Sequence, residues 1–224
     1  MSDALPIVLY TAPLHELRER FGDEVGGLLL REDVPVQARA KQNYSSGRLS
    51  RFNGESSMAA EVSSRNGGVG VATAQLAHES GFTEMESLGY KRFTHRITVE
   101  RDWGDGSLTG EVFLFSVIGT QAVEQYLKAV NGFLAWCQQH PESVSDRFVG
   151  NYGDFASVID ALEQVSYSQK DDQKDCNELY GDGYECWDFA LAVCLYKTLR
   201  HVLEFAAGKG NPVVIERWAG FEDL

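Results

Sequence analysis

The chain has 224 residues, of which 20 are Lys or Arg and 33 Asp or Glu, for a net charge of −13. That length supports a sizeable core without disulfide staples, and the 43% apolar content is that of a folded chain rather than a disordered one. No apolar run approaches the ~20 residues of a membrane helix, and Met1-Ser2-Asp3-Ala4-Leu5 lacks the basic, then apolar, pattern of a secretory leader. The expectation is a cytoplasmic protein whose four cysteines are reduced.

In chain order, Pro6-Ile7-Val8-Leu9-Tyr10 predicts a buried strand. Thr11 reads as the N-cap of a following helix. Pro13 would lie in its first turn, Leu14, Leu17 and Phe21 on one face, and Gly22 would stop it. Val25–Leu30 is a second strand candidate. From 37 to 70 the chain is rich in Ser, Asn, Gly and Arg, and reads as a long polar loop. Residues 70–78 mix strand and helix signals, and Thr83-Glu84-Met85-Glu86 has the form of a capping box.

The strongest β signal spans 92–118. Phe93, His95, Ile97 and Val99 alternate with Arg92, Thr94, Arg96 and Thr98, and a second run holds Leu108, Val112, Leu114 and Ile118. Asp105-Gly106 between them suits a tight hairpin turn. His95 in this pattern reads as a satisfied core residue.

Helices dominate thereafter. Val123, Leu127, Val130, Leu134 and Cys137 form one stripe that ends at His140-Pro141. Asp154 would cap a second helix carrying Phe155, Val158, Ile159, Leu162 and Val165 inward. The longest helix is predicted from Cys186 to Ala207, with Leu191, Cys194, Leu195, Leu199, Val202 and Leu203 facing the core and Gly208 ending it. Val213-Val214-Ile215 reads as a last strand. The expected fold is therefore a single α+β domain over 1–224: a small antiparallel sheet built around the 92–118 hairpin, packed against a C-terminal helical layer.

Charge is unevenly distributed. Residues 37–66 are basic, with Arg39, Lys41, Arg48, Arg51 and Arg65 against Glu55 and Glu61. Residues 171–188 carry Asp171, Asp172, Asp175, Glu178, Asp182, Glu185 and Asp188 against Lys174 alone. This acidic loop, 168–185, leads into the longest helix with Tyr180, Tyr184 and Trp187 interleaved. Carboxylates steer a basic partner while aromatic rings anchor it. Asp171, Asp172, Asp175, Glu178, Tyr180, Asp182, Tyr184 and Glu185 are the candidate partner-binding residues. The overall acidity argues against direct nucleic-acid binding, which depends on Lys and Arg at phosphates.

Catalytic and cofactor motifs are weak. Ser45, Ser46, Arg48 and Arg51 gather hydroxyls and guanidiniums suited to a phosphate, but without Walker spacing. Gly68 and Gly70 have Thr73 where a dinucleotide loop needs its third glycine. Cys137 and His140, with Cys176 and Cys186, make a poor zinc set because Cys137 continues the apolar stripe. From Asp171, an EF-hand loop would need glycine where Cys176 stands. His15-Glu16 lacks the second histidine of a zinc protease, and no Gly-x-Ser-x-Gly occurs. The expectation is a protein without cofactor or metal that works by stoichiometric binding to a basic protein, as an inhibitor, immunity-type protein or adaptor does. The alternative is an enzyme or binding protein for a phosphorylated or nucleotide ligand, held by the 43–51 segment.

Overall fold

The computed structural model describes residues 5–18, 36–41, 54–64, 74–84, 95–102, 107–148 and 187–223. Among these residues six strands form one sheet: β1 (Leu5–Thr11), β2 (Val36–Lys41), β3 (Met58–Ser64), β4 (His95–Asp102), β5 (Leu108–Ile118) and β6 (Val213–Asp223). Their spatial order is β2-β4-β5-β6-β1-β3. Neighbours are antiparallel except β2, which runs parallel to β4. The fold is α+β. The expected hairpin is its β4–β5 pair, in register from His95↔Phe115 to Asp102↔Leu108. The Asp105-Gly106 turn and the Val25–Leu30 strand candidate lie outside the described residues.

Two features enlarge the sheet beyond the expectation. β3 and all of β2 but Val36 fall inside the 37–70 stretch read as a long polar loop, and they form the two outer strands. Their sequences, VQARAK and MAAEVSS, each hold a single β-branched residue, Val36 and Val62, and no aromatic one. An outer strand is held by backbone pairing to one neighbour and so needs little apolar patterning. β6 also continues well past Ile215. Gly220 pairs with Val112 and Trp218 with Phe113, leaving Ala219 as an extra residue. Gly220 has φ +107°, a conformation that glycine adopts without steric cost. This bulge lets a segment with no clean alternation stay paired with β5.

Both faces of the central strands are buried, which explains why β1 and the start of β6 read as unbroken apolar runs. On one face Ile7, Leu9, Ala60, Ile118, Val213 and Ile215 pack into a core shared with the helices. On the other, Val8, Tyr10, Ile97, Val99, Phe113, Phe115 and Val214 cluster with Ala12 and Leu17. His95 belongs to this second face and is buried, as its place in the alternation predicts.

A short helix α1 (14–18) follows β1, and α2 (74–79) precedes Phe82. Thr11 does not cap α1. It lies in β1, and its hydroxyl donates to the Pro212 carbonyl at 2.7 Å, while the Leu17 N–H reaches the Pro13 carbonyl. Leu17 is buried but Leu14 is exposed, so these two do not share a buried face, and Phe21 and Gly22 lie outside the described residues. Of the capping-box residues, Thr83 and Glu84 form a single turn and the other two lie outside the described residues. Glu84 accepts from Gln125 Nε2 at 2.9 Å, a bond that holds its carboxyl below the usual range and ties this turn to the next helix.

That helix, α3 (Val123–Gln139), buries Val123, Ala129, Val130, Phe133, Leu134 and Cys137, with Leu127 partly covered. It ends at His140, as expected. A further helix, α4 (Pro141–Phe148), then begins at once: proline occupies its first position, where no N–H is required, and Val144 is buried. The helix predicted after Asp154 lies outside the described residues. α5 (Trp187–Lys209) packs on α3 and on β1, β3 and β6. It runs past Gly208. The stop is Gly210, at φ +67°, with Asn211 N–H bonded to Ala206 O and Gly210 N–H to Ala207 O. These are the paired bonds of a Schellman motif, which places the left-handed residue two positions later than the sequence reading did.

Candidate functional site

All eight candidate partner-binding residues, Asp171 to Glu185, lie outside the described residues, as do Ser45, Ser46, Arg48 and Arg51. The structure describes what the acidic segment joins. It runs directly into α5, whose first two residues are Trp187 and Asp188. From Val193 onward α5 is rooted in the core by Val193, Tyr196, Leu199, Val202, Leu203 and Ala206, all nearly or fully buried. Negative charge before a helix N-terminus interacts favourably with its backbone dipole. α5 therefore fixes the chain that follows the acidic segment in the core.

Three polar groupings occur among the described residues, none of them expected from the sequence. At the corner where β1 ends and β3 and β6 begin, Ser56 Oγ donates to Glu16 Oε1 at 2.6 Å. Asn211 Nδ2 donates to the Ser56 carbonyl at 2.8 Å, and the Thr11–Pro212 bond lies alongside in the fold. These contacts join α1, the 54–57 turn and the α5–β6 connection. Their partners are 40, 155 and 201 residues apart, beyond the reach of any local motif.

The second grouping lies on the sheet face opposite α3 and α5. The Tyr10 hydroxyl donates to Glu216 Oε2 at 3.3 Å, and both side chains are buried. In the sheet register Glu216 faces Phe115, which faces His95, so carboxyl and imidazole flank one aromatic ring. At the far end of the helical face, Glu222 accepts from Thr98 Oγ1 at 2.8 Å and pairs with the Arg96 guanidinium.

Cys137 and His140 lie in different surroundings. Cys137 is buried in the α3–α5 core, and burial pushes its thiol up to about 12. The adjacent Tyr196 phenol is also raised, first by burial and then by the neighbouring thiol. His140, three residues on, is exposed and stacked on Trp136 at 4.7 Å between ring centroids, with Nδ1 3.0 Å from the Trp136 carbonyl. The two face different surroundings and do not share a ligand. Cys176 and Cys186 lie outside the described residues, within which no group of three or more His, Cys, Asp or Glu is placed to hold a metal ion. No helix among the described residues is long and apolar enough to cross a membrane. The chain matches no protein-family model, no curated protein and no solved structure.

Proposed function

We propose that this protein acts by stoichiometric binding to a basic protein partner in the cytoplasm, as an inhibitor, immunity-type protein or adaptor, through an acidic surface formed by Asp171–Asp188. The observation that carries this reading is the concentration of seven carboxylates against one lysine in 18 residues, with Tyr180, Tyr184 and Trp187 among them. Such a composition combines long-range attraction with aromatic anchoring. The rooting of α5 in the core supports it, because a binding segment attached to a fixed helix loses less conformational freedom on association.

The test is affinity capture with the full chain from native-host lysate, washed at low and at high salt and read by mass spectrometry. A basic protein retained in stoichiometric amount at low salt and released at high salt is the expected result. Stoichiometric capture of an acidic or neutral protein that withstands high salt would overturn the electrostatic reading. Absence of any partner at either salt would overturn the binding function itself.

A further inference from the structure

We draw no further inference here: the strongest candidate, the buried grouping of His95, Tyr10 and Glu216 on the sheet face opposite α3 and α5, has three polar side chains in one apolar setting, but beyond Ala12 and Leu17 nothing among the described residues shows what covers that face or how a ligand would reach it.

Discussion

Gly132 on α3 lies directly beneath the ring of Phe82: a Cβ at that position would come within 2.6 Å of Phe82 Cε1. The same ring meets Phe133 edge-on at 5.9 Å, so the glycine sets the depth at which the segment after α2 seats on α3. Elsewhere in a helix, Gly→Ala gains about 1 kcal/mol. Here Gly132→Ala is expected to lose about 1–2 kcal/mol, because overpacking outweighs the propensity gain. Urea denaturation checks this, with a lower midpoint at unchanged slope. In a Phe82→Ala background the same substitution should become stabilising, and a destabilising effect there would show that the ring is not the cause.

Gly208 and Gly210 sit two residues apart and are expected to respond in opposite directions. Gly208 lies in the last turn of α5 with open space around it, so Gly208→Ala should raise stability by about 0.5–1 kcal/mol. Gly210 has φ +67°, and Gly210→Ala should cost about 1–2 kcal/mol in backbone strain. Thermal melts of the two variants separate the cases. Equal effects would contradict the assigned end of the helix.

The Thr11 hydroxyl is fully buried against the Pro212 carbonyl. Thr11→Val keeps the shape but strands that carbonyl, at an expected cost of about 1–3 kcal/mol. Thr11→Ser retains the donor and should lose less. If the valine variant melts no lower than the serine variant, the hydrogen bond does not hold the corner together.

Cys137 should be silent toward thiol reagents in the folded protein at pH 8 and react after unfolding, since its thiol stays protonated to about 12. The sign of its pH effect follows. An unfolded thiol ionises near its ordinary value of 9.0 while the folded one keeps its proton. Stability from this group is therefore complete below pH 9 and falls as pH rises toward 12, by at most about 1.4 kcal/mol per pH unit. Between pH 9 and 10, Cys137→Ala should show a shallower decline than wild type. Parallel stability curves would count against a buried thiol.

For the proposed partner surface, Asp171→Lys, Asp172→Lys and Asp175→Lys together should slow association at least about tenfold at low salt and flatten its salt dependence. Trp187→Ala should instead speed dissociation. Stopped-flow or surface-based kinetics with the captured partner distinguishes these effects, and unchanged kinetics in the triple variant would remove the surface from consideration.

The parts of this fold legible in the sequence are those where side-chain burial is periodic. In β4, His95, Ile97 and Val99 are buried at alternate positions, and the Val123–Cys137 stripe buries one side of α3, so in both the pattern carries the structure. The unbroken run Ile7–Tyr10 is equally readable because both of its faces are covered. Where backbone geometry decides, the pattern fails. VQARAK and MAAEVSS pair as outer strands with no aromatic, Ile or Leu side chain, β6 passes through a bulge at Ala219, and Thr11 commits its hydroxyl to a residue 201 positions away instead of to the next helix. The same limit applies to the Glu16–Ser56–Asn211 corner, which exists only once distant segments have met. The acidic segment is legible as composition alone, because a run of carboxylates does not dictate a backbone conformation.

The pairing of β1 with β6 has a consequence for synthesis on the ribosome. Tyr10 emerges early but meets Glu216 only after 206 further residues have been translated. Until then β1 has β3 on one side and an open edge on the other, while β5 has only β4. The nascent chain therefore carries two incomplete half-sheets with exposed edges, which are aggregation-prone while they wait. β6 closes both at once. A stalled or prematurely terminated product lacking β6 is expected to be a substrate for chaperones and proteases rather than a smaller folded protein, and release of the last strand from the exit tunnel would be the step that commits the molecule to its native state.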